Sequence, residues 1–277
     1  MNLQELFPNA EYNKRGFWEA QASRNISYTE NGHDKIQGSE KNSFWFLHRH
    51  KCLSKLVADK KNQLILDIGG GNGLFTKYLQ DKQNTCILLE PGKYAIEKAI
   101  ENGVNYAIVG SLHETEIESS SFDSIILLDV LEHIEDDQKF LKEINRILKD
   151  DGELILTVPA LPKLYSEFDK MVGHYRRYKL NELTERVKNS GFSVKYGSYF
   201  FSLLPFPIII SRLLLNKFKK QDKKVSSGHI DKRSILGSTL RILLWPELLL
   251  LNNRIRIPIG SSCLVSAVKS PKPAKNV

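Results

Sequence analysis

Four glycines in five positions, Gly69, Gly70, Gly71 and Gly73, stand directly behind the apolar run QLILDI (63–68) in the stretch LDIGGGNG. Glycine loses the most freedom on ordering, so such a cluster belongs where backbone must turn tightly or come close to a ligand. The run before it reads as a buried parallel strand, and LFTKYLQ after it as the first turns of a helix. Strand, glycine loop and helix N-terminus together aim N–H groups at an anion or a polar ligand edge. Two familiar versions fail on spacing. The nicotinamide fingerprint needs glycines at the first, third and sixth positions, but from Gly69 the sixth is Leu74, and from Gly70 the third is Asn72. A phosphate loop needs Gly-Lys-Ser/Thr, which does not follow.

Strand-like and helical runs alternate from Gln63 to Val158. Strands are expected at 63–68, 85–90, 105–110, 122–128 and 152–159, with helices at 93–103 and 137–152 between them. In the second helix Phe140, Leu141, Ile144, Ile147 and Leu148 share one face. This alternation predicts an α/β fold, a Rossmann-like doubly wound and mostly parallel sheet with its ligands at the carboxyl ends of the strands. Two later runs, 192–197 and 262–269, read as further strands. Glu90 ends the second strand, where a carboxylate can accept both hydroxyl protons of a ribose diol.

The expected division is an N-terminal helical cap over 1–61, an α/β core over 62–197, an apolar and basic helical insertion over 198–261, and a last strand with a tail over 262–277. Charge separates these parts. Residues 1–180 carry 23 Lys+Arg against 27 Asp+Glu, and residues 181–277 carry 17 against 5. Such asymmetry points to an anionic partner for the C-terminal part alone. That part is also apolar: FFSLLPFPIIISRLLL (200–215) and ILGSTLRILLWPELLLL (235–251) flank NKFKKQDKK. Pro205, Pro207 and Arg212 interrupt the first run, and Arg241, Pro246 and Glu247 the second, so neither is a convincing span. Two readings stand: an element lying among lipid headgroups, or a helical lid packed on the core. Cys52, Cys86 and Cys263 lie far apart without metal or disulfide spacing, and the first residues lack an apolar leader core. A reducing, cytoplasmic setting is expected.

The segment FDSIILLDVLEHI (122–134) makes a family resemblance specific. Together with LDIGGGNG, Glu90 and the later KDDGELILTVP, it resembles the class I S-adenosylmethionine-dependent methyltransferases over roughly residues 62–198. The resemblance implies S-adenosylmethionine as cofactor. It puts Asp67, Gly69, Gly71 and Gly73 around the methionine end, Glu90 on the ribose, Ser111 and Leu112 beside the adenine, and Asp129 beneath the cofactor. LDVLEH stands where amine-directed nucleic-acid enzymes of the family often carry Asn/Asp-Pro-Pro-Tyr/Phe, and no cysteine is suitably placed for RNA carbon methylation. No nucleic-acid partner is therefore expected.

Gly173-His174-Tyr175-Arg176-Arg177-Tyr178, with the helix after it, resembles the polyprenyl-quinone O-methyltransferases of the demethylubiquinone type. FWFLHRHKCLSKL (44–56) resembles their Leu-His-Arg helix, whose arginine reaches the cofactor carboxylate and maps to Arg49. Phe-Trp-Phe and His-Tyr-Arg-Arg-Tyr also resemble uncharacterised methyltransferases found alongside polyprenyl-linked sugar enzymes. These likenesses imply O-methylation of a small or polyprenyl-linked acceptor, with possible contact to an anionic membrane surface. The expected base is His174 or His133, histidine having the pKa for a hydroxyl proton near neutrality. Tyr175, Arg176, Arg177 and Tyr178 are expected at the acceptor, the arginines facing an acidic group such as phosphate. Asp129-x-x-Glu132-His133 resembles the Glu-x-x-Glu-His proposed to hold magnesium in the quinone enzymes. Because histidine suits magnesium poorly, no metal is expected. A non-catalytic adaptor of the same fold at a membrane complex is the alternative.

Overall fold

Alternating apolar residues in the central strands send successive side chains to opposite faces of one sheet, and two cores result. Ile65 faces one core while Leu66 and Ile68 face the other; Ile126 and Leu128 likewise oppose Ile125 and Leu127, and Ile155 opposes Leu154 and Leu156. A strand buried on both faces needs a near-continuous apolar run, as these strands have. The computed structural model describes residues 2–20, 43–57, 60–203 and 234–271.

Among the described residues the sheet has nine strands: β1 Ala10–Tyr12, β2 Trp18–Ala20, β3 Leu64–Ile68, β4 Thr85–Glu90, β5 Tyr106–Val109, β6 Phe122–Leu128, β7 Leu148–Pro159, β8 Phe192–Phe200 and β9 Ser262–Lys269. Their order is β1-β2-β5-β4-β3-β6-β7-β9-β8. Strands β5, β4, β3, β6 and β7 are parallel, and β9 lies antiparallel between β7 and β8. The helices are α1 Leu3–Leu6, α2 Phe44–Ser54, α3 Leu74–Gln80, α4 Lys93–Glu101, α5 Asp137–Ile147, α6 Glu167–Met171, α7 Leu180–Asn189, α8 Ile235–Leu243 and α9 Trp245–Asn252. On one face of the sheet Phe140, Leu141, Ile144 and Ile147 of α5 are buried with Leu183 and Val187 of α7. Each such side chain contributes about 1.5–3 kcal/mol. On the other face Phe44, Cys52 and Leu53 of α2 pack with Phe75 and Leu79 of α3 and Leu244 and Leu251 of the C-terminal helices.

Two local expectations are corrected. The segment 1–61 is not helical throughout: β1 and β2 form an antiparallel hairpin, and β2 pairs in parallel with β5 through Trp18↔Ile108 and Glu19↔Val109. The hairpin covers what would otherwise be an open sheet edge. The helix expected over 137–152 ends at Ile147, because Leu148 already pairs with Phe122 in the sheet. The second apolar run forms α8 and α9, which with their junction make an 18-residue stretch of mean hydropathy 1.3, long and apolar enough to cross a membrane by length and composition. Most of the first apolar run, and Lys217, Lys219, Lys220, Lys223 and Lys224, lie outside the described residues.

Candidate active site

The glycine loop leaves β3 at its carboxyl end, as predicted. Gly69, Gly71 and Gly73 have φ of 68°, 57° and 72°, the left-handed region that glycine enters without penalty. A Cβ at Gly69 would lie 2.5 Å from Val130 Cγ2, and one at Gly73 would lie 2.6 Å from Val104 Cγ2. Both positions therefore require glycine for space as well as for conformation. Beneath the loop Asp67 is fully buried and its Oδ2 accepts a 2.6 Å bond from the Thr76 hydroxyl, while Oδ1 has no partner.

Burial pushes the Asp67 carboxyl up from 3.8 to about 7, against the Thr76 hydrogen bond. The native state then binds a proton that the unfolded state has released, so this group's contribution to stability is lost as pH rises across that window. Asp67→Asn is expected to flatten that part of the pH dependence of urea unfolding. An unchanged profile would show that Asp67 titrates normally.

Glu90 ends β4 with its carboxylate gripped at both oxygens. Gly71 N–H donates to Oε2 at 3.1 Å and Gly92 N–H to Oε1 at 2.9 Å. Burial raises this carboxyl and the two N–H groups oppose the rise. The grip ties the glycine loop to the next strand and leaves each oxygen a lone pair for a diol. Ser111 bonds Glu114 through both its N–H and its hydroxyl, and Leu112 is buried beside it.

Asp129, at the end of β6, holds φ at 57°, which a residue other than glycine rarely adopts. Its N–H donates to the Thr157 carbonyl at 2.9 Å, Oδ1 accepts from the Thr157 hydroxyl at 3.1 Å, and Oδ2 accepts from Arg49 Nη1 at 2.6 Å. Arg49 thus reaches Asp129 from α2. It is 8% exposed, lies over the Phe46 ring, and its Nε has no partner.

His174 and His133 meet edge to face with ring centroids 4.6 Å apart. His174 Nδ1 lies 3.1 Å from Asp169 Oδ1 and its Nε2 lies 3.9 Å from Glu132 Oε1. Asp169 itself is fully buried. Burial would raise its carboxyl, but hydrogen bonds from His174, Arg177 and Ser166 override this and hold it well below the usual carboxylate range. An ionised Asp169 fixes the proton of His174 on Nδ1 and leaves Nε2 free to accept one. Glu132 is also fully buried, and neither of its oxygens has a hydrogen-bond partner. Burial, and Asp129 nearby, raise its carboxyl well above the ordinary value. The Tyr175 N–H donates to the Glu132 carbonyl at 2.8 Å, which clamps the 173–178 segment over the 131–133 turn. Glu132, His133 and His174 offer one ligand atom each within 4.8 Å of one another, as do His48, Cys52 and Glu247.

The acceptor-side expectations change. Tyr178 is 2% exposed and its hydroxyl donates to Asp137 Oδ2 at 2.9 Å, so it supports the segment from within the core. Arg176 donates to Asp137 at 3.0 Å and to the Glu135 carbonyl at 2.7 Å; Arg177 donates to Asp169 at 2.7 Å. Their charges are already matched inside the chain, and a phosphate would have to compete with those carboxylates. Tyr175 is 53% exposed, and His174 is partly exposed beside it. Sequence reasoning missed Asp169, although Ser166-x-x-Asp169 carries a capping-box spacing five residues before His174. It gave Glu132 no role beyond the discounted metal motif.

The methyltransferase domain family matches residues 66–156, from the middle of β3 into β7. An uncharacterised protein of Methanocaldococcus jannaschii is 31% identical over 185 residues, covering 56% of this chain and 71% of that one. A ubiquinone biosynthesis O-methyltransferase of Rickettsia canadensis is 27% identical over 148 residues, 47% of this chain; the chain spans 63% of that enzyme's length. The phosphoethanolamine N-methyltransferase 2 of Haemonchus contortus, solved with S-adenosyl-L-methionine, shares the fold with a TM-score of 0.58. It is 19% identical, with 89% of this chain and 58% of that one covered. A parallel sheet with an antiparallel β9, a glycine loop after β3 and an acid after β4 define a methyl-transfer domain. The chain belongs to the class I S-adenosylmethionine-dependent methyltransferases.

Proposed function

We propose that the protein methylates a hydroxyl oxygen of a small or polyprenyl-linked acceptor at the cytoplasmic face of a membrane. The observation that carries this reading is the Asp169–His174 pair, which leaves Nε2 as a proton acceptor on a ring packed against His133. The likeness to an O-methyltransferase of ubiquinone biosynthesis supports an oxygen acceptor.

The residues fit the cofactor by what they leave unsatisfied. Arg49 Nε is buried without an acceptor, and the cofactor's carboxylate supplies one. Gly69, Gly71 and Gly73 keep side chains out of the space above β3, with Asp67 beneath. Glu90 offers two oxygens to the ribose, Ser111 and Leu112 border the adenine, and Asp129 holds Arg49 in place. S-Adenosylmethionine, when bound, supplies a methyl group already activated on sulfur. The chain's task is then to align the acceptor oxygen and remove its proton. His174 takes that proton at Nε2, and Asp169 stabilises the resulting imidazolium. Tyr175 and His133 flank the acceptor. The adaptor alternative has no observation in its favour.

Calorimetry with S-adenosylmethionine tests the cofactor assignments. Glu90→Ala removes charge-assisted bonds worth about 1.5–3 kcal/mol, so affinity is expected to fall roughly 10- to 150-fold. Gly71→Val forces a β-branched residue to φ 57° and is expected to abolish measurable binding. Unchanged affinity in both variants would sink the assignment. Transfer of radiolabelled methyl into a polyprenyl lipid extract, in a product that survives mild base as an ether does and a methyl ester does not, tests the acceptor class.

A further inference from the structure

We propose that α8 and α9 form an interfacial anchor whose outer face lies in the headgroup region of an anionic bilayer. This inference rests on the lipid-side reading of the acceptor given above and names the surface that would serve it.

The inner side of the pair is committed to the protein. Gly237, Leu240 and Leu244 follow helical spacing on one side of α8, and Glu247, Leu248 and Leu251 turn inward from α9. Glu247 is 3% exposed and fastened at three points. It accepts from the Phe201 N–H at 2.8 Å and the Ser202 N–H at 2.6 Å, and meets His48 Nε2 of α2 at 2.7 Å.

The outer side is apolar as well. Ile235 is 88% exposed, Ile242 75% and Trp245 58%, with Leu243, Leu249 and Ile255 also exposed. A helix of a soluble protein buries its apolar stripe and gives the other face to polar residues; here only one of two apolar faces is covered. Nine of the fifteen large apolar side chains exposed among the described residues lie between Ile235 and Ile259. They form one concentrated patch rather than the scatter normal on a protein surface.

The charge at the patch selects its occupant. Arg241, Arg254 and Arg256 are exposed there, and Glu247, the one acid between Ser234 and Ser261, is buried. Two copies meeting through this face would bring like charges together. An anionic bilayer takes up the apolar side chains and meets the arginines with lipid charge, and an exposed tryptophan suits the boundary between tails and headgroups. The pair lies on the membrane and does not cross it. A span would expose the Glu247 carboxylate and tear it from Phe201, Ser202 and His48, and would pull Leu244 and Leu251 out of the core. Because α8 and α9 pack against α2, which carries Arg49 to the cofactor loop, docking would hold the site a short distance from the lipid surface.

Cosedimentation with vesicles tests the anchor. The full chain is expected to bind phosphatidylcholine vesicles containing a quarter phosphatidylglycerol, more weakly in high salt and more weakly to pure phosphatidylcholine. The three arginines should account for about fivefold each in partitioning. Trp245 emission should shift to the blue and be quenched by acyl-brominated lipid; Trp245→Phe, with Trp18 and Trp45 intact, should lose that signal while still binding. Leu243→Glu with Trp245→Glu is expected to lower binding at least about tenfold, since one large apolar side chain is worth that much. Its circular dichroism and S-adenosylmethionine affinity should stay unchanged. A wild type that ignores anionic vesicles at low salt, a double variant that binds as well as wild type, or a dimer dissolved by Trp245→Glu would overturn the proposal. Failure of cofactor binding would sink the catalytic reading without touching the vesicle result, so the two can fail separately.

Discussion

His174→Ala is expected to slow methyl transfer by about 10²–10⁴-fold and to leave S-adenosylmethionine affinity nearly unchanged. The imidazole is held at Nδ1 by Asp169, by 3.1 Å, and lies against His133 rather than in the glycine loop. On the proposed mechanism its loss removes the proton acceptor while the glycine loop and Glu90 stay intact. The matched His133→Ala variant decides between the two histidines: a smaller loss there than in His174→Ala assigns the base to His174. Asp169→Asn supplies a finer test. Asp169 stays ionised through the neutral range because His174, Arg177 and Ser166 outweigh its burial. An amide in its place stabilises the imidazolium less, so the maximum rate should fall while S-adenosylmethionine affinity holds. Full activity in His174→Ala would mean that the acceptor arrives already ionised.

The largest effect on stability is expected at Glu247. Glu247→Ala leaves His48 and the buried Phe201 and Ser202 N–H groups without their acceptor. Breaking one side of such a buried arrangement costs about 3–5 kcal/mol. Urea unfolding at neutral pH measures it directly, and a loss below about 1 kcal/mol would show that water replaces the carboxylate freely. The pH dependence adds a check. Burial alone would raise the Glu247 carboxyl, but bonds from His48 and Ser202 hold it below its ordinary 4.5. A depressed carboxyl stabilises the fold above its unfolded value, and that contribution is lost as pH falls through the folded value. The gap between wild type and Glu247→Ala should therefore be full near neutrality and narrow in acid.

Chemistry carried by neighbouring residues was legible before any coordinates. The β3 loop, Glu90 after β4, Asp129 after β6 and the parallel core follow from local patterns of strand, glycine and helix, which is why the motif residues fall at the strand ends. Arg49 came through a resemblance and lands 2.6 Å from Asp129. Direction was less legible. Tyr178 lies in a polar, aromatic run that reads as surface, yet its bridge to Ala160 turns the ring into the core. Arg176 and Arg177 look like free cations until Asp137 and Asp169 arrive from elsewhere in the fold. The three-residue strands β1 and β2 are too short to show a period, and only the open edge of β5 gives them a partner. The joint between His48 and Glu247 joins residues 199 positions apart, a distance no local pattern spans.

Strand β9 sets the timetable of assembly. Among the described residues it is the only strand that β8 pairs with, and it separates β8 from β7 along the full run from Phe192↔Lys269 to Phe200↔Ser262. A ribosome that has made everything through Phe200 has therefore made a strand with nowhere to go. Strands β3 to β7 can close as a parallel unit while the chain is still growing, but β8 and the open edge of β7 must wait for residues 262–269 to emerge. During that interval two strand edges stand unpaired, and at about 5–20 residues per second it lasts several seconds. Chaperone demand should concentrate in that window, and it should lengthen with any insertion between β8 and β9.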